Sequence, residues 1–168
     1  MKINKKLFEE IDYLNIDSNL IFDIQKEIEI FELFPNIATE KFNGYQNVSL
    51  MYKELKIALS DPTWIRVLKN AKAVYTITDV FNGKLYIGSA YGNDCLLNRW
   101  SSYVNNLTGG NVELKKVLEE KGEKYIQTNF KYSILEIFDT KTKQEYILER
   151  ENYWKKVFET KKFGMNRN

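Results

Sequence analysis

Ala73-Val-Tyr-Thr-Ile-Thr-Asp-Val-Phe-Asn-Gly-Lys-Leu-Tyr-Ile-Gly88 is the stretch that decides the fold. Val74, Thr76, Thr78 and Val80 are β-branched, and Tyr75, Ile77 and Phe81 share their preference for a pleated surface. Asn82-Gly83 tolerates positive φ at both central positions of a tight hairpin turn. Leu85-Tyr86-Ile87 starts the return strand, and Gly88 allows a sharp exit. Two tyrosines, Tyr75 and Tyr86, sit on adjacent strands with ten residues between them. Taken alone, the stretch fits both a hairpin with aromatic core pairs and a hairpin that carries chemistry.

On the C-terminal side, Ser89–Asp94 is turn-rich and Asp94 can cap a helix over Cys95–Leu107, where Arg99 and Tyr103 share a face. Thr108-Gly109-Gly110 breaks the chain. Asn111 caps a helix over Val112–Glu120, which Gly122 ends. Phe130–Phe138 alternates as a third strand, with Phe130, Tyr132, Ile134 and Glu136 on one side. A last helix opens at Thr140 or Thr142 and runs to about Phe158. On the N-terminal side, apolar spacing predicts two helical pieces within 7–34, stopped by Pro35, then a loop over 36–48. Ser49 opens a helix to Leu59, and Asp61-Pro62 opens another over Thr63–Asn70. The expected architecture is α+β: a three-stranded antiparallel sheet flanked by helices, with a helical accessory region over 1–70 and the main domain over 71–168.

At 168 residues, with 43% hydrophobic and 29% charged residues, the chain is that of a globular protein. It has no apolar run long enough to cross a bilayer, and its N-terminus lacks the apolar segment of a signal peptide, so a cytoplasmic location without membrane contact is expected. One cysteine, Cys95, rules out a disulfide framework and a Cys-rich zinc site. The absence of histidine removes Ser-His-Asp and Cys-His catalysis and the commonest general base. Residues 1–34 hold eight acids against four lysines, so a net +2 for the whole leaves +6 on the remainder. That balance suits a nucleic-acid partner without demanding one.

Val74-Tyr75 and Tyr86-Ile87-Gly88 at this separation resemble the signature of the GIY-YIG nucleases. The resemblance extends in order through Arg99 on the next helix, a third strand, Glu151 ahead of Tyr153-Trp154 on the late helix, and Asn166. It covers residues 71–168 and is closest to the small stand-alone bacterial and phage members. Two positions depart from it: Ala73 stands where the family has its leading glycine, and Tyr103 stands where many members have a histidine.

The resemblance implies an endonuclease that hydrolyses DNA, most simply double-stranded, with Mg²⁺ or Mn²⁺. A hard cation takes oxygen ligands, and Glu151 supplies the carboxylate, with Glu149 as its competitor. Arg99 can clamp phosphate oxygens bidentately. Tyr75 or Tyr86 can bind or deprotonate the attacking water if a cation such as Lys84 lowers a phenol pKa. Asn166 orients Glu151 or a water, and Tyr103 is either a stand-in for the histidine or core. Lys155, Lys156, Lys161, Lys162 and Arg167 are candidate phosphate contacts, or a solubilising face. One site per chain cuts one strand, so duplex cleavage needs a homodimer or two successive events, and a restriction-like enzyme is one form this takes. Residues 1–70 would supply target recognition or dimerisation. The alternative is a nucleic-acid-binding module that keeps the fold but is inactive or depends on a partner.

Overall fold

A computed structural model describes residues 41–167, which lie within one compact unit spanning Ala38–Asn168. The helices expected within 7–34 fall outside the described residues. After a 3-10 turn at Tyr45–Asn47 come β1 (Ser49–Met51), α1 (Tyr52–Ala58), α2 (Pro62–Lys69), β2 (Lys72–Asp79) and β3 (Leu85–Ala90). They are followed by α3 (Cys95–Asn106), α4 (Val112–Lys121), α5 (Glu123–Asn129), β4 (Phe130–Phe138) and α6 (Gln144–Val157). The fold is α+β, as expected, with four strands where three were expected. The sheet order is β1-β4-β2-β3 and every pairing is antiparallel.

The extra strand comes from Ser49–Met51, which sequence reasoning assigned to a helix. It pairs with β4 through Ser49↔Ser133 and Met51↔Lys131. The helix starts only at Tyr52, where the Glu54 carboxylate accepts the Met51 N–H at 2.7 Å. Neighbouring α1 and α2 fill the main core with Tyr52, Leu55, Trp64 and Leu68, and the Tyr52 hydroxyl donates to the Val104 carbonyl of α3. These two helices thus share a core with the elements that follow residue 71. Capping of α2 follows its sequence: the Asp61 carboxylate accepts from Thr63 and Trp64 N–H, with Pro62 at the first helical position. Asn111 caps α4 in the same way. Asp94 makes no side-chain cap to α3; it is left-handed at φ 54° and pairs with Lys69 instead.

The hairpin turn is longer than the Asn-Gly reading predicted. β2 ends at Asp79 and β3 begins at Leu85, and of Asn82 and Gly83 only Gly83 has positive φ, at 75°. The Asp79 carboxylate closes the loop by accepting the Phe81 N–H. Val80 and Phe81 are therefore exposed turn residues and not strand positions.

Side-chain alternation along β2 and β3 sorts the two faces of the sheet. Ala73, Tyr75, Ile77, Tyr86 and Ala90 enter the main core, under α1 to α5. Val74 and Ile87 turn the other way, onto Ile147 and Trp154 of α6. A shift in register between Val74/Tyr75 and Glu136/Ile134 skips Leu135. The bulge moves Glu136 from the face shared by Phe130 and Tyr132 to the α6 face, a correction to the strict alternation expected for β4. There Glu136 accepts Arg150 Nε at 2.9 Å and Trp154 Nε1 at 2.8 Å.

No helix among the described residues is long and apolar enough to cross a membrane.

Candidate active site

The tyrosine pair is placed by a glycine. Tyr75 pairs with Gly88 across the hairpin, and a Cβ on Gly88 would lie 2.5 Å from the Tyr75 oxygen. Only glycine leaves room for the Tyr75 ring to cross β3 towards the helices. Tyr75 is fully buried against Trp100 and Tyr103, both of α3. Its hydroxyl shares a 2.9 Å bond with the Tyr103 hydroxyl and accepts Arg99 Nε at 3.0 Å. Arg99 also lies over the Tyr103 ring, 5.7 Å from its centroid. Two buried phenols thus hold the guanidinium from below. Ala73 is fully buried opposite Ala90, so a methyl group is accommodated where the family has glycine.

Above them lies a cleft of about 630 Å³ whose lining includes Tyr86, Ser89, Arg99, Ser102, Asn106 and Glu151. A second hollow of about 450 Å³ shares Tyr86 and Arg99 and adds Glu113 and Arg167. Of the three site tyrosines only Tyr86 lines these cavities. Burial pushes the Tyr75 phenol well above the ordinary tyrosine range, and raises Tyr103 likewise. Neither lines the cavities, and burial keeps both phenols in the neutral form, which does not take a proton from water. The Tyr75 oxygen beside Arg99 raises the guanidinium pKa, against the lowering effect of burial, so Arg99 remains a fixed cation.

Glu151 enters the cleft from α6. Its Oε1 pairs with Lys155 Nζ at 2.7 Å and its Oε2 accepts the Ser89 hydroxyl of β3. Glu149, its competitor, is exposed and does not line the cleft. Lys155 is 6% exposed, so it belongs to the carboxylate and not to a solvent-facing basic surface. Lys156, Lys161 and Lys162 are exposed, and Arg167 pairs with Glu113 at the second hollow. Lys84 is exposed at the turn and lines neither cavity.

Asn166 does not reach Glu151. Its side chain accepts the Ile87 N–H at 2.9 Å and donates to the Ile87 carbonyl at 2.8 Å. Met165 N–H adds a bond to the Leu85 carbonyl. The C-terminal segment therefore closes the free edge of β3, and Asn166 fixes the strand that carries Tyr86 and Ser89.

Ser89 was missed from sequence because it was read as part of a turn. β3 continues to Ala90, and Ser89 shares the α6-facing side with Ile87. Asn106 and Ser102 were missed because neutral polar residues on a helix carry no spacing signal.

A family model described as the GIY-YIG catalytic domain matches residues 71–166. No curated protein matches the chain. Two solved structures are similar to it. One is the catalytic domain of the intron endonuclease I-TevI, solved as a point mutant, at 27% identity over 58% of this chain and 94% of that one, with a TM-score of 0.47. The other is the catalytic domain of the homing endonuclease I-TevI, at 27% identity over 58% of this chain and 98% of that one, with a TM-score of 0.46. With the family pattern covering more than half of the sequence and running through the hairpin, Arg99, Glu151 and Asn166, this chain belongs to the GIY-YIG nuclease family.

Proposed function

We propose that this nuclease is a divalent-metal-dependent endonuclease that hydrolyses phosphodiester bonds in double-stranded DNA. The observation that carries the reading is the shared cleft: a phosphate-binding cation, Arg99, and a hard oxygen ligand, Glu151, line one cavity with Tyr86. Arg99 binds non-bridging phosphate oxygens and stabilises the charge that builds on them. Tyr86 orients the attacking water. Tyr75 and Tyr103 are positioning residues for Arg99, and Asn166 is one for β3. Lys156, Lys161, Lys162 and Arg167 contact flanking phosphates, and residues 1–70 supply target selection or dimerisation.

The donor set fits a particular kind of ion. Among the described residues no cluster of three or more acidic, cysteine or histidine side chains is present. A lone carboxylate facing an open polar cleft suits Mg²⁺ or Mn²⁺, which keep most of their waters, and does not suit a caged ion. Glu151 would hold it, with Ser89 alongside. When bound, such an ion supplies Lewis-acid stabilisation of the phosphate and a water of lowered pKa.

The test is incubation of supercoiled plasmid with Mg²⁺ or Mn²⁺, alongside duplex RNA of matched length. Nicking and then linearisation of DNA is expected, and Arg99→Ala should abolish it without unfolding the chain. One observation favours a second reading, a binding module without activity: the phenol at the histidine position, Tyr103, is fully buried and cannot exchange protons with the cleft. Retained DNA binding in a gel-shift assay, with no nicking at any metal concentration, would decide for that module.

A further inference from the structure

Glu151, which lines the cleft, is held in an ion pair that the proposed chemistry does not use. Lys155 Nζ lies 2.7 Å from Glu151 Oε1, with 6% of the lysine side chain and 14% of the glutamate side chain exposed. The two residues are four apart on α6. The other carboxylate oxygen accepts the Ser89 hydroxyl from β3. Glu151 therefore has two partners of different kinds. Ser89 is neutral and ties the carboxylate to the sheet. Lys155 places a full positive charge beside the group that would meet a divalent cation. Exposed pairs at this spacing matter little, but a pair sheltered from water acts through a lower effective dielectric.

We infer that Lys155 is a built-in counter-ion for Glu151, a positioning residue whose ammonium weakens the hold of this carboxylate on a divalent cation until a substrate phosphate adds negative charge to the cleft. The inference rests on Glu151 being the metal ligand. An incoming divalent cation is repelled by the ammonium already paired with the carboxylate. The rotamer of Glu151 does not depend on Lys155 alone, because Ser89 holds the other oxygen. Removing the ammonium thus removes repulsion and leaves the ligand in place. A phosphate bound at Arg99 has the opposite effect on the cation. By linkage, DNA and metal raise each other's affinity by the same factor. The metal is then taken up with the substrate and not stored by the free protein.

Mn²⁺ binding to the full chain without DNA, followed by calorimetry or electron paramagnetic resonance, tests this. Lys155→Met should bind Mn²⁺ about tenfold tighter than the unmodified chain, the effect of one neighbouring charge. Lys155→Arg keeps the charge and should keep the original affinity. A purely structural lysine would not give a gain of affinity on its removal. Equal or weaker binding by a folded Lys155→Met, or a tenfold change in Lys155→Arg, overturns the role. Should Lys155→Met fold poorly without metal, thermal melts decide: Mn²⁺ must raise its Tm more than that of the unmodified chain, and an equal or smaller rise also overturns the role. Glu151→Gln separates the two levels. Undiminished Mn²⁺ binding in that variant overturns the metal-ligand reading itself. Lost binding there, with no gain in Lys155→Met, overturns only the counter-ion.

Discussion

The Tyr75 hydroxyl accepts a 3.0 Å hydrogen bond from Arg99 Nε while its ring is fully withdrawn from solvent, so the guanidinium is aimed into the cleft by a residue the cleft does not touch. The signature tyrosine of the first strand thus works through geometry. Its own partner, the Tyr103 hydroxyl at 2.9 Å, is buried as well. The Tyr75–Tyr103–Arg99 arrangement explains how a chain without histidine keeps this wall of the site ordered.

Tyr75→Phe removes the acceptor of Arg99 and strands the Tyr103 hydroxyl. It should cost about 1–3 kcal/mol of stability, the range for an unsatisfied buried polar group. Tyr103→Phe leaves the Arg99 bond intact, so it should reduce the cleavage rate less than Tyr75→Phe does. Urea unfolding and single-turnover cleavage of both variants check this. A larger rate loss in Tyr103→Phe would show that Tyr103 acts independently of Arg99.

Gly88→Ala should be disruptive although alanine is small. The added methyl would meet the Tyr75 oxygen and the Tyr86 ring, so both tyrosines must move. Overpacking of this kind costs about 1–3 kcal/mol. Combining it with Tyr75→Phe should recover part of that loss, because the nearest clashing atom is gone. A double-mutant cycle on Tm reads the coupling. Simple additivity would refute the contact.

Stability should fall steeply in alkali. Burial is the leading cause that raises Tyr75, Tyr103 and Tyr132 above the usual phenol pKa. Each folded-state value lies above the unfolded one of about 10, so the stability these groups contribute is complete below that pH and is lost as pH climbs towards the folded values. Phenolate absorbance from these residues should therefore appear together with loss of near-ultraviolet circular dichroism. Ionisation of all the tyrosines in a protein that stays folded would contradict their burial.

Local chemistry made several elements legible before the structure. Asp61-Pro62, Asn111 and Gly122 mark helix ends through bonds each residue makes with its near neighbours. The features that escaped depend on distant partners. Ser49–Met51 is a strand only because β4 offers an open edge. The position of Glu136 depends on a register shift against β2 that no single-strand pattern encodes. Asn166 was found by resemblance, but its work on Ile87 is a contact across 79 positions of chain. Arg99 and Glu151 were legible because the family pattern fixes their order. The burial of Lys155, which divides it from the other basic residues near it, follows from how α6 packs.

Asn166→Ala would leave the Ile87 N–H and carbonyl without their side-chain partners, both within the buried edge of β3. A loss of about 2 kcal/mol or more is expected, since two groups are affected at roughly 1–3 kcal/mol each. Asn166→Asp keeps the acceptor but puts a carboxylate against the Ile87 carbonyl, so it should not restore stability. Hydrogen exchange offers the sharper measurement. Protection of the Ile87 amide should drop in both variants, while amides of β4, on the far side of β2, keep theirs. Cleavage should weaken in proportion to the loosening of β3, because Tyr86 and Ser89 move with it. Full protection at Ile87 in a variant that no longer cuts would instead put Asn166 in direct contact with the reacting groups.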